Sequence, residues 1–299
     1  MLHQAIDTYS EVIRIVKLNL NKCSKLMVES LKRMGAIHLE KSRNIEALEA
    51  LAEAVEIEKS WHGENSVEIG HILLSIAGVY DARADEDGSL AVYTDALRVF
   101  KANLGSDDVS VALSLNNIGI NHARRKNYSK AINLISEALR IRKLKLGEDH
   151  LDVADSCLNI AHVLDEWGKE DQALKFYSEA MGLYKGHLGD DDVEVANCCQ
   201  QIGEVYMKQN DHARAMACYI ESIRIYRLKK GVDSLEIALA LFELGRVYGK
   251  TADFDKAAAC FQECLRIRNA QLGESHLEVL AVHRYIDAIE RKRRRKGIL

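Results

Sequence analysis

From Gly147 to Leu188 the chain reads GEDHLDVADSCLNIAHVLDEWGKEDQALKFYSEAMGLYKGHL. In its first half, Val153, Cys157, Ile160, Ala161 and Leu164 stand at i, i+4, i+7, i+8 and i+11. In its second half, Ala173, Phe176, Tyr177, Ala180, Met181 and Tyr184 form another such stripe. Both are faces of amphipathic helices, not the alternation of a strand. The polar turn Gly168-Lys169-Glu170 separates them, so the segment predicts a helical hairpin with a first helix A and a second helix B.

The hairpin recurs. Glycines stand at Gly63, Gly105, Gly147, Gly189, Gly231 and Gly273, always 42 residues apart. Ile76, Ile118, Ile160, Ile202, Leu244 and Ile286 keep the same step, as do Ala47, Ala131, Ala173, Ala215 and Ala257, with Ser89 as the exception. Equal intervals without an insertion predict a stack in which every unit does the same geometric task. Each glycine suits a left-handed position that ends the preceding helix. Two residues later come Asn65, Asp107, Asp149, Asp191, Asp233 and Ser275, expected as N-caps. Three beyond those stand Glu68, Ser110, Asp152, Glu194, Glu236 and Glu278, the spacing of a capping box.

Small Gly119, Gly203 and Gly245 follow the isoleucine column of helix A, where two helices must approach closely. Helix B repeats Ala131, Ile135 and Ala138 as Ala173, Tyr177 and Ala180, then as Ala257, Phe261 and Cys264. These columns match the tetratricopeptide pattern. The 42-residue period, with ALRIRKLKLGEDHLDVA and SLNNIG, resembles the kinesin light chain repeat family over nearly the whole chain. The family's usual His-Pro in the linker is His150-Leu151 and His276-Leu277 here. The resemblance implies an all-α fold, a right-handed α-solenoid of antiparallel helical hairpins forming a tetratricopeptide superhelix. It also implies cargo-type recognition of a peptide.

Run backwards, the register aligns Ala5, Tyr9, Val12 and Ile13 with Ala47, Leu51, Ala54 and Val55. We therefore expect a half repeat of helix B alone over 1–22, six tandem hairpins over 23–275, and a capping helix with a basic tail over 276–299. The apolar face of the half repeat suits a truncated start, or contact with a partner or a second copy.

The net charge of −4 and pI near 6.3 give no field that points to nucleic acid or an anionic membrane. The longest apolar run, Ile237 to Phe242, is far short of the roughly 20 residues that span a bilayer. No secretory signal is visible, and the default compartment is the cytoplasm. Proline is absent, where average usage of about 5 % would put roughly 15, which favours helix after helix. Of the seven cysteines, Cys157 and Cys199 share a core column, Cys218 and Cys260 share another, and Cys264 takes a small-residue position. They read as buried small hydrophobes rather than metal ligands or disulfides. His150 and His276 fall in linkers, where a capping or turn role is expected rather than catalysis. No phosphate loop, metalloprotease spacing or nucleophile elbow appears, so no enzyme activity, metal or cofactor is expected. The basic run Arg291 to Lys296 suits the C-terminal end of a helix dipole; the competing reading is a nuclear-import signal.

In a stack of hairpins the A helices are expected to line a concave groove. Positions that miss the core stripe should face it, and they define the candidate peptide-binding residues. These are Asn116, Asn117 and Arg124; Asp155, Leu158, Asn159 and His162; Asn197, Gln200, Gln201, Glu204 and Lys208; and Phe242 and Arg246. Asn117, Asn159 and Gln201 share one column, and an amide can pair with both backbone groups of an extended peptide whatever its sequence. Leu158 and Phe242 would anchor side chains. The function expected is a scaffold or adaptor for a protein or peptide ligand. The alternative is the sensor of a larger multidomain signalling protein.

Overall fold

The computed structural model describes Thr8, Tyr9, Glu11 and residues 24–295. Among these residues there are 13 α-helices and no strand. The expected half repeat, with Ala5, Val12 and Ile13, therefore lies largely outside the described residues.

The chain falls into two compact units, Met1–Glu148 and Asp149–Leu299. The first holds α1 (Ser24–Glu40), α2 (Asn44–His62), α3 (Val67–Ala82), α4 (Glu86–Leu104), α5 (Val109–Arg124) and α6 (Tyr128–Leu146). The second holds α7 (Leu151–Glu166), α8 (Glu170–Leu188), α9 (Val193–Lys208), α10 (His212–Lys230), α11 (Leu235–Lys250), α12 (Phe254–Leu272) and α13 (Leu277–Arg295). Odd-numbered helices are A helices and even-numbered ones B helices. Within each unit every A helix up to α11 packs on its own B helix, and each B helix packs on the next A helix of that unit. Each unit is thus an all-α stack of antiparallel hairpins.

The period has a simple construction. From α3 onwards a 16-residue A helix leads through a short turn into a 19-residue B helix. The glycine after each B helix has positive φ, but its ψ is extended: Gly63 sits at 83° and 173°, Gly189 at 90° and 164°. This is not the left-handed helical region anticipated. It is a region only glycine enters cheaply, which explains why nothing else stands at those six positions.

The caps lie one residue later than the spacing suggested. The A helices begin at Val67, Val109, Leu151, Val193 and Leu235, and their N-caps are Ser66, Asp108, His150, Asp192 and Ser234. Each accepts a backbone N–H of the first turn. Glu68 and Glu194 consequently fall at the second helical position, and no capping box forms there. The expected caps are held from helix B instead. Arg224 bonds Asp191 at 2.5 Å, Arg266 bonds Asp233 at 2.6 Å, and Arg140 bonds Asp107. Capping by histidine is observed: His150 Nδ1 accepts from the Asp152 N–H at 3.0 Å, and His276 Nδ1 from that of Glu278 at 3.3 Å.

The small residues do what close helix packing requires. A Cβ on Gly119 would fall 2.5 Å from Ile135 Cγ1, and one on Gly203 would fall 2.9 Å from the Tyr219 ring. Cys157, Cys198, Cys199 and Cys264 are buried, while Cys218 and Cys260 are only half-buried. Burial pushes the Cys198 thiol up to about 12 and those of Cys218, Cys260 and Cys264 up to about 11. Helix α13 buries Val279, Val282 and Ile289. Where earlier A helices carry Leu241, Gly245 and Tyr248, it exposes His283, Asp287 and Glu290, so its outer face is polar.

Candidate functional site

The candidate residues divide between the two units. In the first, Asn116 is only 4 % exposed, and Asn117 is half-buried beside it. Asn116 is therefore part of the packed interior and not an open groove wall, because α5 turns that column into its neighbours. Arg124 is exposed and pairs with Asp81 at 2.8 Å, and Asp81 also accepts the Tyr93 hydroxyl at 2.8 Å. Burial, followed by that hydrogen bond, raises the Tyr93 pKa.

In the second unit Gln200, at 5 % exposure, is likewise interior. Leu158, Asn159, Gln201 and Glu204 are half-buried. Asp155 accepts the Tyr184 hydroxyl at 2.6 Å, and Asn197 accepts that of Tyr226 at 2.5 Å, so both link an A helix to its own B helix. His162 Nδ1 lies 2.9 Å from the Tyr177 hydroxyl. Burial lowers the His162 pKa against the opposing pull of Asp165. Lys208 reaches back to both oxygens of Asp165, at 2.7 and 2.8 Å. Arg246 bonds Glu243 at 2.6 Å. Phe242 is not a free anchor. Its ring lies 4.8 Å from Tyr285 and 5.6 Å from Phe261, with the Arg268 guanidinium over it at 5.1 Å.

Sequence reasoning passed over Asp81, Asp165 and Tyr219. Asp81 and Asp165 share one column, and their partners Arg124 and Lys208 follow each of them 43 residues on. That register was the available signal. Tyr219 shares the column of Tyr93 and Tyr177, which looked purely apolar.

What the A-helix faces offer, then, is a set of half-buried amides and carboxylates whose neighbouring charges are mostly paired within the protein. The residues 26–102, 110–186 and 192–270 match the model of the tetratricopeptide repeat. The chain belongs to the tetratricopeptide repeat family. Repeats of this family are generally non-catalytic scaffolds that bind protein or peptide partners.

Among solved structures, BtubC (BKLC) from P. vanneervenii is 21 % identical, with a TM-score of 0.63 over 85 % of this chain and 94 % of that one. A putative kinesin light chain with nearly identical TPR-like repeats, from Podosopora anserina, is 14 % identical with a TM-score of 0.58, covering 71 % and 99 %. A signal transduction ATPase with numerous domains, PH0952 from Pyrococcus horikoshii, carries a tetratricopeptide repeat sensor; it is 14 % identical with a TM-score of 0.73 over 94 % of this chain and 40 % of that one. At these identities the likeness is one of fold. Among curated proteins none matches significantly. No helix among the described residues is long and apolar enough to cross a membrane.

Proposed function

We propose that this tetratricopeptide repeat chain is a non-catalytic adaptor that binds an extended segment of a partner protein along its A-helix faces, as in kinesin light chain-like cargo recognition. The observation that carries this reading is the pair of half-buried amides Asn159 and Gln201, in one column of successive A helices of the second unit. An amide offers donor and acceptor together, so it can hold a peptide backbone irrespective of side chains. Around them Lys208 is committed to Asp165 and Arg246 to Glu243, so a segment of high net charge is not selected. The 42-residue period and the likeness to putative kinesin light chain repeats support the finer assignment. Burial raises the Cys198 and Cys264 thiols, which makes these two poor nucleophiles. Such an adaptor would work in the cytoplasm, or in the nucleus if the basic run beginning at Arg291 is read as an import signal.

Affinity capture followed by mass spectrometry tests this. A partner held by the wild type should bind at least about tenfold more weakly to Asn159→Ala/Gln201→Ala, which removes roughly 1.4 kcal/mol or more, with the melting temperature unchanged. Undiminished capture would remove the groove reading.

A second reading is a sensor within a larger signalling protein, favoured by the likeness to the repeat sensor of PH0952. The two part on what ligand binding does. An adaptor leaves the turnover of a covalently joined domain unaltered, whereas a sensor changes it.

A further inference from the structure

On the A-helix face of the second unit, one carboxylate is left over. Asp165 and Glu243 each lie within electrostatic reach of Glu204, and the cations committed beside them are Lys208, on Asp165, and Arg246, on Glu243. Glu204 is half-buried, and its own bond comes from the Gln200 amide. Moving Lys208 or Arg246 onto Glu204 would only strand one of the other two carboxylates. Half-buried carboxylates ordinarily find a cation. Consistent with its surroundings, burial and then Glu243 push the Glu204 pKa up, while Gln200 and Lys208 pull it down.

A second observation points at the same place. The Tyr219 ring is fully buried against Gly203, and its hydroxyl has no hydrogen-bond partner. In the equivalent positions of other hairpins that hydroxyl reaches the outward side of helix A. Tyr177 meets His162 at 2.9 Å, and Tyr93 meets Asp81 at 2.8 Å. The counterparts facing Tyr219 are Glu204 and Met207, and neither bond is made. An orphaned buried hydroxyl is uncommon and asks for an explanation.

We propose that Glu204 and the Tyr219 hydroxyl form a receptor for a single basic side chain, so that the segment bound by this face carries an arginine or lysine there. Guanidinium and ammonium groups have donors and no acceptor, which suits a carboxylate beside a hydroxyl oxygen with free lone pairs. A metal ion is the poorer fit, because among the described residues no three carboxylates, thiols or imidazoles converge to hold one. The proposal rests on the groove reading above and names the side chain that one part of the groove selects.

The test uses the full chain labelled with ¹⁵N and two blocked pentapeptides, alanine throughout except for a central arginine or its uncharged isostere citrulline. The arginine peptide should shift the amides around Glu204 and Glu243 and bind at least tenfold more tightly than the citrulline peptide. Glu204→Gln should abolish that preference. Tyr219→Phe, which removes one oxygen from a ring that stays in place, should reduce it several-fold; circular dichroism reports whether each variant is folded. Equal binding of both peptides would overturn the basic-side-chain receptor and leave the groove reading standing. Retention of the arginine preference in Glu204→Gln, or binding of neither peptide, would also overturn it. The Asn159→Ala/Gln201→Ala capture decides the groove independently.

Discussion

Individual side chains on the A helices of the second unit carry opposite linkages to pH. His162 has its pKa lowered from 6.5 by burial, so its contribution to stability is present above that value and is lost as pH falls through the lowered one. Glu204 has its pKa raised from 4.5, so its contribution is full below 4.5 and is lost as pH rises through the raised one. Ionised Glu204 therefore weakens the fold at neutral pH. Glu204→Gln should raise the urea midpoint at pH 7, and the gain should disappear as pH falls below about 4.5. A variant no more stable than wild type at pH 7 would show that Glu204 has a cation partner after all. A residue kept at a cost to stability fits a role in binding better than one in folding.

At the scale of helices, two departures from the repeat pattern explain each other. Ser89 of α4 stands in the alanine column and Asn121 of α5 in a column otherwise filled by Ile37, Val79, Val163, Val205, Val247 and Ile289. Both are buried, and Asn121 Nδ2 donates to Ser89 Oγ at 2.8 Å and to the Glu86 carbonyl at 2.9 Å. Ser89→Ala alone should cost about 1–3 kcal/mol, because it strands one buried Nδ2–H of the asparagine. Ser89→Ala/Asn121→Val restores the apolar pairing of the other hairpins and should recover most of that. A coupling below about 0.5 kcal/mol in a urea-denaturation cycle would show the two sites to be independent. The turns between A and B helices vary in the same way. Ala84, Lys126 and Ala252 adopt φ of 55–63°, where Gly168 and Asn210 are the comfortable residues. The repeat geometry is thus enforced even where the local residue resists it.

Across the molecule, stability is distributed among neighbours. Within each unit the substantial helix contacts join elements adjacent or nearly adjacent in sequence. Helix α13 closes the second unit by covering α12 with Val279, Val282 and Ile289 and turning charge outward, and Arg293 reaches Asp255 at 2.6 Å. Val282→Asp would bury an unpaired charge at a fully buried position and should cost about 3 kcal/mol. Hydrogen exchange should then quicken in α11, α12 and α13 and stay unchanged in α7 and α8, as nearest-neighbour coupling requires. Uniform acceleration through the unit would argue for a single cooperative block.

Helix type, period and the glycine column were legible in the amino-acid order, because they rest on local backbone physics: a 3.6-residue apolar stripe, and a φ,ψ region that excludes side chains. Even there the cap register slipped by one, since Asp107 and Asp191 look like caps until Arg140 and Arg224 are brought across from helix B. The candidate face was legible only as a list of columns. Whether Asn116 and Gln200 are walls or interior, and which cation neutralises Asp165, depends on side chains 40 or more residues away meeting through stacking. That is a decision of tertiary structure, because burial and charge pairing belong to the interface between hairpins and not to any one helix.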